Sequence, residues 1–199
     1  MPSPLFLTLL RVLIGPLFVF VYLYPKILGL PDLLLPWVLL GLLLVSEMSD
    51  FFDGFLARRW NKVSDLGKIL DPMADTIFRL SVFFAFTQGE IALPLFFPLL
   101  LFIRDAVISY LRTLCALKGV VLAARLSGKL KAILQGCATF AMLILFCFYT
   151  HKALSLEKLQ LYSFWMMWVV TVYTLFSGLE YIMAHYSFIN RVWKNSTAV

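Results

Sequence analysis

The stretch "SEMSDFFDGFLARRWNKVSDLGKILDPMADTIFR", residues 46–79, decides how the rest of the chain is read. It sets Glu47, Asp50, Asp53, Asp71 and Asp75 inside or beside apolar runs of membrane length. A carboxylate at bilayer depth is costly unless it is paired or binds a metal. Compensating chemistry is therefore expected here.

The surroundings make that expectation pointed. Of 199 residues, 62% are hydrophobic, 16% aromatic and only 14% charged, with a mean hydropathy of +0.91. Soluble domains run near ~45–50% apolar and ~25% charged, so the composition is that of an integral membrane protein. The length suits one domain, 1–199, with no internal repeat or low-complexity segment. A net charge of +6 does not mark a nucleic-acid binder, because the basic residues sit in short segments between apolar runs.

Six stretches are long enough to cross the hydrocarbon core as helices. They run at about Leu5–Tyr24, Leu33–Trp60, Gly67–Thr87, Ile91–Leu117, Lys129–Thr150 and Leu159–Tyr186, with turn signals such as "GLPD" at 29–32, "QGE" at 88–90 and "SG" at 127–128 between them. Continuous apolar runs exclude a β-barrel, so the expected fold is all-α with six transmembrane helices. Arg11 interrupts the first run and no small-residue cleavage site follows, which reads as a retained first helix rather than a leader.

Loop charge sets orientation. Arg58, Arg59, Lys62, Lys68, Lys118, Arg125, Lys129 and Lys131 fall on one side, together with Arg191 and Lys194 in the tail, while the other side holds Lys26, Lys152 and Lys158. Both termini are expected in the cytoplasm. Cys115, Cys137 and Cys147 lie in apolar stretches without a CxxC pair and are expected as buried free thiols. His151 and His185 stand alone near helix ends, and Glu180 in the last helix has no assignment.

Asp50 and Asp53 are three residues apart and Asp71 and Asp75 four apart, so each pair shares a helix face. The short basic connection at about Asn61–Leu66 makes the two helices antiparallel neighbours. Four hard oxygen donors brought together in this way suit Mg²⁺ or Mn²⁺, and their number suits two ions. Two ions would clamp phosphoryl groups, with Arg58 near enough to pair with a phosphate and Gly54 and Ala57 leaving room beside it. The competing reading makes the acids salt-bridge partners of Arg58, Arg79 and Arg104. An ion channel or transporter also uses intramembrane acids, but it does not call for Arg58 and the glycines at fixed distances from them.

The pattern Asp50-x2-Asp53-Gly54-x2-Ala57-Arg58-x8-Gly67-x3-Asp71-x3-Asp75 resembles, at all eight positions, the signature of the CDP-alcohol phosphotransferase family. The resemblance implies a six-helix membrane enzyme, usually a homodimer, that moves a substituted phosphate from a CDP-linked donor to an alcohol and releases CMP. It implies metal ligation by Asp50, Asp53, Asp71 and Asp75, with Asp75 also the general base. The CDP moiety would be held by Gly54, Ala57 and Arg58, with Ser64 near the diphosphate.

The signature leaves the acceptor open. "LFIRDAVISYLRTLCALKG" and "ARLSGKLKAILQG" carry Arg104, Asp105, Ser109, Arg112, Lys129, Lys131 and Gln135. Basic residues in a wet cleft make a receptor for a phosphate on the acceptor, which an uncharged amino alcohol does not need. Lys129 and Lys131 also suit headgroup anchors at the cytoplasmic surface. The spacing is similar to bacterial members that use glycerol 3-phosphate, although Ala132 replaces a usual Thr and Thr76 a frequent Lys. "LTLLRVLIGPLF" at 7–18 resembles the first helix of that group and adds Thr8 and Arg11. The expected substrates are CDP-diacylglycerol and glycerol 3-phosphate, with inositol phosphate or phosphatidylglycerol as alternative acceptors. The expected location is the bacterial inner membrane, with the active site on the cytoplasmic side.

Overall fold

A computed structural model describes residues 4–60, 65–117, 125–186 and 189–190, and within these the side chains of 10–49, 73–117, 125–186 and 189–190. The ordered elements are α1 (Pro4–Leu23), α2 (Leu35–Trp60), α3 (Asp65–Ala85), α4 (Phe96–Leu117), α5 (Leu126–Thr150) and α6 (Leu156–Ala184). No strand occurs among the described residues.

Chain contacts divide these helices between two compact units. Unit 1 comprises Met1–Pro94 with Thr139–Phe164, and unit 2 comprises Leu95–Ala138 with Trp165–Val199. In unit 1, α1 packs on both α2 and α3. Its core is aromatic: the Phe18 ring meets Phe78 at 6.5 Å and Phe86 at 5.9 Å, both edge to face. Tyr22 stacks its edge against Phe86 at 5.5 Å and Phe146 at 6.1 Å. Gly15 lets α1 approach α3 closely, since a Cβ there would stand 3.2 Å from Ser81 Oγ. Small residues at such a contact are how helices gain dispersion energy where water gives no drive to associate. In unit 2 the buried residues of α4, Phe97, Leu101, Asp105, Ile108 and Cys115, follow one helical face.

The connections show local causes. After α3, Gly89 adopts φ +67°, and a Cβ there would be 3.0 Å from the Tyr22 hydroxyl. That hydroxyl donates to the Gln88 carbonyl at 3.0 Å. Helix α5 ends in a Schellman turn, with the N–H groups of Lys152 and Ala153 donating to the carbonyls of Tyr149 and Phe148, each at 2.9 Å. Ser155 caps α6, its Oγ accepting from the Lys158 N–H at 3.4 Å.

Two boundaries differ from the sequence reading. α4 begins at Phe96 and not at Ile91. Ala92 has φ 45°, the Leu93 N–H donates back to the Phe86 carbonyl at 2.8 Å, and Pro94 disfavours a helical residue before it. The segment is apolar, with Ile91 and Leu93 buried, but it is not helical. The "SG" pair at 127–128 does not break the chain, because α5 already starts at Leu126. Cys115 and Cys147 are buried free thiols as expected, whereas Cys137 is exposed.

Among the described residues, α5 and α6 are long and apolar enough to cross a membrane, and Leu10–Leu23 and Leu35–Ser49 form shorter apolar helices. Exposed side chains on α6 include Trp165, Trp168, Val169, Val172, Phe176, Leu179 and Met183. An apolar surface of that extent needs a nonaqueous neighbour.

Candidate functional site

The sequence places the eight signature positions on two consecutive helices, and the backbone agrees. α2 carries Asp50, Asp53, Gly54, Ala57 and Arg58, and α3 carries Gly67, Asp71 and Asp75. At 1.5 Å rise per residue, Asp50 and Asp75 lie about 15 Å along their helices from the connection, and Asp53 and Asp71 about 10 Å. The two carboxylate pairs are thus matched in depth. The side chains of Asp50, Asp53, Gly54, Ala57, Arg58 and Asp71, together with all of Ser64, lie outside the described residues.

Asp75 is described, and its surroundings are informative. Its Oδ1 accepts from Arg11 Nη1 at 2.6 Å and its Oδ2 from Arg79 Nη2 at 3.4 Å. The Arg11 side chain is 2% exposed, whereas that of Asp75 is 32% exposed. A buried cation therefore arrives from α1 to steady a carboxylate that keeps about a third of its surface exposed. The salt-bridge reading is correct for Arg79, and the resemblance of the first helix is what pointed to Arg11. The described side chains alone form no acidic cluster of metal-binding size, so the fit to a divalent cation rests on the four hard oxygen donors at paired helical spacings on α2 and α3. A cavity of about 980 Å³ near Tyr22, Lys26, Gln88 and Lys152 opens at the far ends of α1 and α3, away from these acids.

The basic set of unit 2 is more tightly organised. Lys131 Nζ donates to both oxygens of Asp105, at 2.6 and 2.8 Å. Arg104 donates through Nη1 to Asp105 Oδ1 at 2.9 Å and through Nη2 to Ser177 Oγ at 2.9 Å. The Asp105 side chain is only 9% exposed. Gly178 admits this arginine, since a Cβ there would fall 2.9 Å from Arg104 Cγ. Arg112 donates through Nε to the Tyr181 hydroxyl at 3.2 Å, and its guanidinium carbon lies 5.2 Å from the Tyr181 ring centroid. Lys129 is exposed.

Of the four basic residues picked from the sequence, Arg104 and Lys131 thus converge on one acid, while Arg112 turns to α6. Ser109, named with them in the same stretch, is exposed. The residues that sequence reasoning missed are on α6. Thr174, Ser177 and Tyr181 are buried hydroxyl residues at spacings of three and four, which is one helical face. That periodicity was the available signal. Glu180, left unassigned, accepts from Arg125 Nη2 at 2.9 Å.

The family model for CDP-alcohol phosphatidyltransferase matches residues 1–186. The CDP-diacylglycerol–glycerol-3-phosphate 3-phosphatidyltransferase of Bacillus subtilis is 29% identical over 181 residues, covering 88% of this chain and 90% of that protein. The protein of the same name from Treponema pallidum is 30% identical, covering 76% of this chain and 71% of the relative. A cardiolipin synthase (CMP-forming) of Streptomyces coelicolor is 43% identical over 105 residues, and the chain spans 47% of its length. Members of the matched family are transferases that use divalent metal ions. An all-helical fold, a signature carried at matched depths on α2 and α3, and a family model covering nearly the whole chain agree, and the chain belongs to the CDP-alcohol phosphatidyltransferase family.

Proposed function

We propose that the chain transfers the phosphatidyl group of CDP-diacylglycerol to glycerol 3-phosphate, giving phosphatidylglycerol phosphate and CMP. The observation that carries this is the likeness to the Bacillus subtilis enzyme of that activity along 88% of the chain, which includes both the signature and the basic set.

Gly54 and Ala57 leave space for the cytidine nucleotide, Arg58 pairs with its phosphate, and Ser64 contacts the diphosphate. Asp50, Asp53, Asp71 and Asp75 would hold two divalent ions, Mg²⁺ or Mn²⁺, which would supply stabilisation of the charge that develops in phosphoryl transfer. Arg11 holds the Asp75 carboxylate in place through its buried guanidinium. Asp75 takes the proton of the C1 hydroxyl as that oxygen bonds to the β-phosphorus. The bond from that phosphorus to the bridging oxygen breaks, and the electron pair leaves with CMP. No covalent enzyme intermediate is needed. Arg104, Arg112, Lys129 and Lys131 receive the acceptor phosphate, with Asp105 bracing Arg104 and Lys131.

The single domain 1–199 spans the bacterial inner membrane six times as a homodimer, with both termini and the active site cytoplasmic. The loop-charge asymmetry supports this orientation, and the exposed apolar face of α6 supports lipid contact. A second reading keeps the chemistry and makes phosphatidylglycerol the acceptor, favoured by the 43% identity to a cardiolipin synthase.

Purified protein in detergent, given CDP-diacylglycerol, Mg²⁺ and single acceptors, decides between them. CMP release with glycerol 3-phosphate is expected. Release with phosphatidylglycerol or inositol phosphate alone overturns the acceptor, and release with none overturns the activity.

A further inference from the structure

The four basic residues assigned to the acceptor phosphate are not equivalent, and Arg104, Lys131 and Arg112 differ in which of their donors are already used. Arg104 gives one N–H of each Nη to Asp105 and Ser177, and its Nε is buried without a hydrogen-bond partner among the described residues. Lys131 is bound to both oxygens of Asp105. These two form a neutralising brace around one buried acid. Arg112 is arranged differently. Its Nε is taken by the Tyr181 hydroxyl at 3.2 Å, while neither Nη has a partner among the described residues. Nε and one Nη form the side edge of a guanidinium, whereas the two Nη groups form its end fork. Tyr181 thus fills a donor on the side edge and leaves the end fork, which matches two oxygens of a phosphate.

Tyr181 is itself fixed. It is 3% exposed, and the His185 ring packs against it with centroids 4.5 Å apart. His185 Nδ1 lies 2.9 Å from the Tyr181 carbonyl oxygen, which secures the turn of α6 that carries both rings. The competing structural account is that Arg112 merely satisfies a buried hydroxyl. Water or a backbone carbonyl satisfies a tyrosine hydroxyl at far smaller entropic cost than an ordered arginine. Ordering that long side chain beforehand lowers what a phosphate must spend to bind it.

We propose that Tyr181 is a positioning residue that aims the end fork of Arg112 at the phosphate of the acceptor, an inference that rests on the acceptor-phosphate reading of the basic set. Tyr181 does not touch the substrate. It acts through Arg112, and it gives α6 a part in choosing a phosphorylated acceptor over an uncharged one.

The test is steady-state CMP release with glycerol 3-phosphate and Mg²⁺ by the wild type, Tyr181→Phe, Arg112→Lys and the double variant. Tyr181→Phe keeps the ring over the guanidinium and removes only the hydroxyl. It is expected to raise KM for glycerol 3-phosphate about tenfold, with kcat, KM for CDP-diacylglycerol and melting temperature nearly unchanged. A lysine at 112 has one ammonium for both partners, so adding Tyr181→Phe to Arg112→Lys should raise KM no further. An unchanged acceptor KM in Tyr181→Phe overturns the proposal, as does a full further rise in the double variant. Should Tyr181→Phe fail to fold, an unchanged acceptor KM in Arg112→Lys overturns it equally. A wild type that releases no CMP with glycerol 3-phosphate overturns the acceptor reading first, a result distinct from a working enzyme whose variants are indifferent.

Discussion

Two aspartates, each joined by two cations, stand in contrast. Asp105 in unit 2 is 9% exposed and grips Lys131 with both oxygens and Arg104 with one. Asp75 in unit 1 is 32% exposed, with one strong contact to Arg11 and a looser one to Arg79 at 3.4 Å. The ingredients match, yet the burial and geometry differ. A buried carboxylate with both oxygens taken has nothing left to offer a ligand and serves as a brace. A carboxylate that is 32% exposed, as Asp75 is, stays within reach of a proton or an ion. Structure and chemistry are thus divided between two similar clusters.

The sharpest way to break this contrast is to remove each charge in turn. Asp75→Asn is expected to lower CMP release by about 10²–10⁴-fold, the range for a lost general base, with the protein still folded. Asp105→Asn strands two nearly buried cations and is expected to destabilise the fold by about 3–5 kcal/mol, read as a lower thermal midpoint in mild detergent. If Asp75→Asn unfolded while Asp105→Asn stayed stable and inactive, the two roles would be exchanged. The smallest effect refines the picture. Arg79→Gln removes the long i, i+4 contact and should alter stability by about 0.3–0.5 kcal/mol, leaving the Arg11 pair to hold Asp75. A loss comparable to Arg11→Gln would mean that the two arginines share the work equally.

How much of this was legible before the structure depends on the signal involved. Six helices could be read because their apolar runs are long. The start of α4 was misplaced because Ile91–Pro94 is as apolar as a helix and buries Ile91 and Leu93. Hydropathy does not report that Ala92 sits at positive φ. The helical placement of the carboxylates was legible from spacing alone, since charges in an apolar chain stand out, and the backbone carries them on α2 and α3. Its cation Arg11 was visible only through resemblance, because the partners are 64 residues apart. Ser177 and Tyr181 were overlooked for the opposite reason. Single hydroxyls in an apolar helix look incidental until their common face is set beside the arginines they bind.

The pairing of Arg11 with Asp75 also bears on how the protein is made. When α1 leaves the ribosome, α3 has not yet been synthesised, so the guanidinium enters the insertion machinery without its counter-charge. An arginine at the centre of a lone inserted helix costs about 2.5–3.5 kcal/mol. A spanning α1 is therefore a poor anchor on its own and should linger beside the translocon until α3 emerges. In the six-span reading proposed above, the ion pair that steadies the carboxylate in the finished enzyme would thus serve a second time, as the latch that lets the first helix move into the lipid.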